Sequence, residues 1–330
     1  VSRPTIAGVA RAAGVSVASV SRVLNGLPAT EEMVERVQRA VEELGYVPDA
    51  RARSLKVGRT FQLTLAVADV GNPVYVTMMR AVEEVVSAAG YRLVVTTTGP
   101  DVVDEVALVR GMARGYADGL VISPLRVDED LIKSIRECEV PVVVAGNVPT
   151  KAGVDTVRAN SPKGIALAVE HLVARGRTRI AFLNGPADTV PGAARAKGFA
   201  DALQAHGLRP SASAEATDFT FAAGRTAAPD LLAAAAGLDA VICANDLLAV
   251  GLMHELVAVG LEVPADVAVV GMDDSELAEQ SFPPLTSVNL GSAERGRRAA
   301  ELLLARIEDS SRAPRRIVVQ PTLSVRRSTP

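Results

Sequence analysis

The sequence contains no tryptophan, and aromatic residues make up only 3% of its 330 positions. Any sizeable core must therefore be filled by the aliphatic side chains that dominate its 48% apolar share. Cysteine is nearly absent too. Cys138 and Cys243 lie far apart in apolar surroundings, so they read as buried free thiols of a cytoplasmic protein rather than a disulfide. His171, His206 and His254 stand at no metal-ligand spacing with cysteines or acids. No Gly-rich phosphate loop follows a strand and opens a helix, and no Ser/His/Asp order stands out. The expectation is a protein that is not an enzyme and needs no metal or cofactor. No run approaches the ~18–20 uncharged apolar residues of a membrane span. The opening VSRPTIAGVARAAGVS places Arg3 and Arg11 among small residues without a continuous apolar core, so a secretory leader is not expected either.

What is present is unevenly distributed. The net charge of −3 divides into +3 over residues 1–60 and −6 over the remainder, and residues 1–30 hold three arginines and no acid. A small basic head on a large acidic body suits contact with a polyanion. The head reads as three short helices. Thr5 caps the first, which Gly14 breaks; Ser16 caps a second, which runs to about Leu24 before Asn25-Gly26; Thr30 caps a third, which ends at Gly45. Met33, Val34, Val37, Val41 and Leu44 give the third an apolar stripe. Two short helices joined by a Gly-containing turn, with a third behind, make a helix-turn-helix.

The second helix, within GVSVASVSRVLNG, divides on a 3.6-residue period. Val20, Val23 and Leu24 face inward, toward Ile6, Val9 and Val37. Ala18, Ser21, Arg22 and Asn25 face outward. That outer face suits a DNA groove: Arg22 can donate two hydrogen bonds to guanine, while Ser16, Ser21 and Asn25 can bond phosphates. Val17 and Ala18 can touch thymine methyls, although the position of Val17 also allows core packing.

Residues 47–60, VPDARARSLKVGRT, are basic and poor in apolar residues, and read as a linker. From Phe61 onward apolar strands alternate with amphipathic helices: LTLAVAD, YRLVVTTT, ADGLVISP and VPVVVAG in a first series. A second series begins near Ser161 and contains RIAFLNGP, a weaker strand near 214–218, LDAVICAND and VAVVGMDD. Such alternation implies parallel, doubly wound sheets, and two series imply two lobes. The tail adds a helix over about 293–307 and strand-like RRIVVQ and TLSVR, which can cross back between the lobes.

TIAGVARAAGVSVASVSRVLNG followed by ELGYVPDARARSL, with NPVYV, ANDLLAVG, VAVVGMDD and PPLTSV further on, closely resembles the lactose-repressor (LacI/GalR) family of bacterial transcription regulators over nearly the whole chain. The resemblance implies an all-α helix-turn-helix head (1–46), a hinge (47–60) and a periplasmic-binding-protein-like α/β body (61–330). The body's two lobes would be 61–160 with 291–320, and 161–290 with 321–330. It implies that the positions of Val17, Ala18 and Arg22 distinguish operators. It also implies that the hinge folds in the minor groove of DNA, where Leu55 wedges between base pairs; the competing reading is a solvated linker with an incidental leucine. The candidate DNA contacts are thus Thr5, Ser16, Val17, Ala18, Ser21 and Arg22, with Asn25, Arg51 and Leu55.

Ligands of doubly wound folds bind beyond the carboxyl ends of strands. Asn72, Ser123, Asn245 and Asp273 follow strands, and Arg195 lies on the helix after RIAFLNGP. The resemblance marks these five as effector contacts, with Phe219 as an aromatic wall and Tyr75 near the Asn-Pro turn. Their chemistry suits a polyhydroxylated ligand. Each has a competing structural reading: Arg195 and Asp273 as an ion pair across the cleft, Phe219 as core, Tyr75 as helix packing. Asp246 and Asp274 read as loop or cap groups. Gly8 departs from the family at a helical position where an Asp is common, Gly146 where many members carry a ligand-contacting Asp, and Thr189 and Pro191 where purine-responsive members carry polar contacts. The expected partners are near-palindromic double-stranded DNA, a sugar or sugar-phosphate effector and a second copy of the chain. A transport-type solute-binding protein is the alternative, but it has no use for a basic helical head.

Overall fold

The computed structural model describes residues 4–47, 58–99, 101–234 and 237–329. The chain divides into two units, Val1–Thr60 and Phe61–Pro330. The first holds α1 (Ile6–Ala13), α2 (Val17–Leu24) and α3 (Glu31–Leu44). Each starts at a hydroxyl that accepts a backbone N–H: Thr5 from Gly8, Ser16 from Ser19 and Thr30 from Met33. These bonds satisfy donors that a helix start leaves open. Gly14 and Gly45 close α1 and α3 in the left-handed conformation, at φ 62° and 59°, which a Cβ would strain. Between α1 and α2 the chain bends by 102°, the geometry of a helix-turn-helix.

Val9, Ala10, Ala13, Val20, Val37 and Ala40 form the core of this unit, with Ile6, Val23, Leu24 and Met33 packed around it. Leu44, expected in the α3 stripe, is exposed; the helix ends there, past the edge of its partners. Arg36 is a feature that periodicity does not show. Its guanidinium donates to the carbonyls of Ala13 and Gly14, so a cation sits at the negative end of α1.

The second unit runs β1 (Gln62–Val67), α4 (Pro73–Ala88), β2 (Arg92–Thr97), α5 (Val102–Gly111), β3 (Leu120–Ser123), α6 (Glu129–Arg136), β4 (Val142–Val144) and β5 (Asp155–Ala159). There follow α7 (Ser161–Ala174), β6 (Ile180–Asn184), α8 (Val190–Ala205), β7 (Ser213–Glu215), α9 (Phe221–Ala234), β8 (Ala240–Cys243), α10 (Asp246–Ala258), β9 (Ala268–Met272) and α11 (Glu276–Gln280). The last elements are β10 (Thr286–Asn289), α12 (Ser292–Glu308), β11 (Arg316–Val319) and β12 (Thr322–Ser324).

Two six-stranded sheets result. One has the order β11-β5-β4-β3-β1-β2 and is parallel throughout. The other has the order β12-β10-β9-β8-β6-β7, parallel except for β12, which runs antiparallel to β10. We call the surroundings of these sheets the N-lobe and C-lobe. The chain passes between them after β5, after β10 and between β11 and β12, so the two tail strands lie in different lobes. The buried cores are aliphatic, with Phe182 stacked on Phe199 in the C-lobe as a rare aromatic pair.

Three elements depart from the expected series. β5, with Asp155 and Arg158, stands outside the expected series. The strand forms because Asp155 is buried against Arg306, at 2.7 and 2.9 Å, and accepts from the Arg315 backbone N–H. That partner lies 151 residues away, beyond any local pattern. β10 and α11 were likewise not anticipated, being only four and five residues long.

Candidate functional site

On α2 the sequence period and the structure agree about sides. Val20 is fully buried, and Val23 and Leu24 pack on the head core. Ala18, Arg22 and Asn25 are exposed, and Ser21 is half-buried. Val17 is 45% exposed, which sets aside core packing and leaves its methyls free. Thr5 and Ser16 are exposed but already serve as caps. The Asn25 amide donates to the Ser21 carbonyl at 2.6 Å, so part of its donor capacity is spent on closing α2. Arg22 donates to the Pro28 carbonyl at 3.3 Å on the surface, a long contact that a better acceptor can replace. Arg51 and Leu55 lie outside the described residues.

In the body, all seven expected effector residues line one cavity of about 180 Å³. The N-lobe contributes Asn72, Tyr75 and Ser123; the C-lobe contributes Arg195, Phe219, Asn245 and Asp273. An adjoining space of about 560 Å³ shares Asn72, Tyr75, Leu125 and Phe219 with it and opens toward Asp69 and Asp218.

Several of these side chains also hold up the walls. Asn72 accepts from Val74 N–H and caps α4. Asn245 accepts from Leu248 N–H, caps α10 and donates to the Phe219 carbonyl at 2.8 Å. Ser123 donates to the Ala145 carbonyl. The Phe219 ring lies directly over Gly185, where a Cβ would come within 2.3 Å of it. Phe219 is therefore both packed on the C-lobe core and a wall of the cavity.

Arg195 and Asp273 form an ion pair, but within the C-lobe rather than across the cleft. Their closest N···O approach is 3.9 Å, too long for a hydrogen bond. Arg195 spends one donor on the Ala244 carbonyl at 2.7 Å, while its Nε is buried with no partner. Asp273 adopts φ 111°, a strained value for a residue with a Cβ. Asp274 follows at φ 53°. Its carboxylate is held by Arg326, Ser324 and Asn289, and this anchor sustains the turn that carries Asp273 to the cavity. Burial pushes the Asp273 carboxyl up to about 6, against the pull of Arg195 and Arg295. Behind it Asp246 accepts from Ser275 and Ser287, and burial followed by the Asp273 charge raises it to about 7.

Sequence reasoning missed two arginines in the cavity lining, Arg158 of β5 and Arg295 of α12. Arg158 lies on the strand that local pattern did not show. Arg295 sits within ERGRRAA, which reads as a solvated helix face.

The mouth of the cleft is closed by contacts between lobes. Val190 N–H donates to the Leu125 carbonyl at 2.7 Å, and Arg126 grips both oxygens of Asp188 at 2.8 Å. Beneath this loop Glu105 is buried, and its Oε2 has no hydrogen-bond partner among the described residues. Desolvation raises its pKa from 4.5 to about 7. Stability gained from the neutral acid is complete below the lower value and is lost as pH rises through the upper one. Glu105→Gln keeps the shape of the side chain and cannot ionise. It is expected to exceed wild type in stability at pH 8 by on the order of 1 kcal/mol and to match it at pH 4.5. Urea titrations at both pH values decide the point, and equal stability at pH 8 would refute it.

Comparison with known proteins places these features. Residues 5–49 match the model of bacterial regulatory proteins of the lacI family, and residues 169–329 that of the periplasmic binding protein-like domain. The HTH-type transcriptional regulator CelR of Thermobifida fusca is 37% identical over 339 residues, spanning 99% of this chain and 98% of that protein. The chain belongs to the LacI family of bacterial regulatory proteins. Like its relatives, this LacI-family member is a DNA-binding transcriptional regulator and not an enzyme.

The ribose operon repressor of Escherichia coli is 34% identical to this regulator, over 98% of the chain and 99% of the relative. Among solved structures, the Lac repressor dimer bound to operator and the anti-inducer ONPF is 27% identical with a TM-score of 0.90, covering 99% of each chain. A transcriptional regulator CelR–cellobiose complex is 36% identical with a TM-score of 0.75, covering 99% of this chain and all of that one. Among the described residues of this regulator no single helix is long and apolar enough to cross a membrane.

Proposed function

We propose that this regulator is a cytoplasmic, ligand-controlled repressor. In this reading two copies hold a near-palindromic operator through α2 and the hinge, with Arg51 and Leu55 entering the minor groove. A small carbohydrate-like effector seated between the lobes sets their affinity for DNA. A two-fold symmetric protein fits an operator with two half-sites. The Lac repressor dimer on its operator and the CelR–cellobiose complex support the two halves of this reading.

The observation that carries the proposal is the cavity shared by both lobes. Arg195 and Asp273 reach its wall as an ion pair without a hydrogen bond between them, and a ring lies beside them, with the Arg195 guanidinium 5.9 Å from the Phe219 centroid. A ligand touching both walls makes its binding depend on lobe closure, which is the requirement for a switch. Purines fit poorly, because Pro191 offers no donor and the Thr189 hydroxyl is committed to Pro186 and Gly192. The test is a thermal-shift screen of sugars, sugar phosphates and nucleosides on the full chain and on Asp273→Asn. A sugar or its derivative should raise the melting temperature, with affinity about tenfold weaker in the variant, the worth of one charge-assisted hydrogen bond. A response to nucleosides alone, or equal affinity in the variant, refutes the reading.

A further inference from the structure

We propose that the effector carries an oxyanion, a phosphate or a carboxylate, on its polyhydroxylated body, and that Arg158 and Arg295 of the N-lobe receive it opposite Arg195. The proposal deepens the reading above and rests on the cleft being the effector site.

The first support is an excess of donors. A guanidinium presents five N–H groups. Arg195 uses one on Ala244, Arg295 uses one on Ser292, and the Arg158 side chain forms no hydrogen bond or ion pair among the described residues. The Nε atoms of Arg195 and Arg295 are both buried without a partner. Acceptors are scarce by comparison. The oxygens of Asn72 and Asn245 are taken by helix caps, leaving Asp273 as the lining carboxylate. A neutral sugar brings hydroxyls that both donate and accept, and so leaves the imbalance in place. A phosphate or carboxylate brings acceptors alone and matches a guanidinium fork.

The second support is charge. Arginine stays protonated, so three cations meet Asp273, and counting Asp246 behind it they still outnumber the acids. The cations stand on both walls. Arg195 and Arg295 are near enough that the charge of one disfavours the other. Lobe closure without an anion compresses like charges in a poorly solvated space; an anion between them turns repulsion into attraction. The first turns of helices add to this. Ser161 and Pro162 of α7, Val190 and Pro191 of α8, and the caps Asn72 and Asn245 all line the cavity, so positive helix ends converge on it.

Isothermal titration and melting of the full chain test the proposal with matched probes: glucose against glucose phosphate and glucuronate, ribose against ribose phosphate, and inorganic phosphate alone. At least one anionic probe should bind about tenfold or more tighter than its neutral parent, as one or two charge-assisted bonds imply. Arg158→Leu and Arg295→Leu should bring that ratio close to one. The Arg158 side chain bonds nothing among the described residues, so its replacement tests the ligand contact without removing a structural one. Preference for the phosphate or the carboxylate member identifies the oxyanion. The proposal is overturned if no anionic probe exceeds its neutral parent, or if the preference survives both substitutions. A neutral sugar that binds and weakens on Asp273→Asn would keep the cleft as effector site and remove only the anion. Silence across the whole panel would remove both.

Discussion

Replacing Gly192 by alanine is expected to destabilise the body by about 3 kcal/mol or more, because the clash is with backbone that cannot yield. A Cβ at this position would lie 2.0 Å from the Pro186 carbonyl oxygen and 2.8 Å from Thr189 Oγ1. The carbonyl is held in place by Thr189, which donates to it from both its hydroxyl and its backbone N–H. Gly192 itself donates to Thr189 Oγ1 and accepts from the Asn184 amide. The first turn of α8 is therefore clamped on two sides. Movement of that turn carries Arg195, one turn further on, away from Ala244, and disturbs the Val190–Leu125 bond at the cleft mouth. A urea midpoint lowered without change in slope is the expected result. Gly207→Ala, at φ 70° on the surface with no atom within 4 Å of an added Cβ, provides a contrast in which backbone strain alone acts. If Gly192→Ala costs no more than this control, the close approach is not what fixes glycine there.

The second large effect is expected at Arg22. Arg22→Ala should weaken specific DNA binding by about 1–3 kcal/mol and relax the preference at one base position. The side chain is exposed, and its recorded bond to Pro28 is long, so the folded head loses little when it is removed. Selection from a randomised duplex pool, repeated at several salt concentrations, separates two roles. A base reader loses preference at one position and keeps its salt slope. A phosphate contact loses about one unit of slope and keeps its base preference. The second pattern would falsify the assignment of Arg22 as a reader.

The head was legible in the sequence because its signals are local. Thr5, Ser16, Thr30, Gly14 and Gly45 act within a turn of where they stand, and an eight-residue helix such as α2 shows its faces directly. The strand–helix alternation of the body was legible for the same reason, since strands buried on both faces read as apolar runs. What escaped were residues whose meaning is set by distant partners. Asp155 makes β5 a strand only because Arg306 reaches it. Arg295 looks like a surface residue until α12 is laid against the N-lobe, with its Nε buried. Arg195 and Asp273 were found as neighbours, but on opposite walls; only the sheet order places them in one lobe. Asn72, Ser123, Asn245 and Asp273 were legible because strand ends are visible in sequence, and Tyr75, Arg195 and Phe219 through the family resemblance, whereas Arg158 and Arg295 carry no such mark.

The residues around the cleft are of two kinds, and the difference bears on how such a protein changes over generations. Asn72, Thr189 and Asn245 close the first turns of α4, α8 and α10, so a mutation there costs the fold about 1 kcal/mol before any new ligand is gained. The Arg158 side chain bonds nothing among the described residues, and at Gly146 the nearest atoms to an added Cβ stand at 3.7 Å. Those two positions can drift while the scaffold stays intact. Divergence toward a new effector should therefore begin at Gly146 and Arg158, with the capping residues persisting through descendants that answer to different molecules.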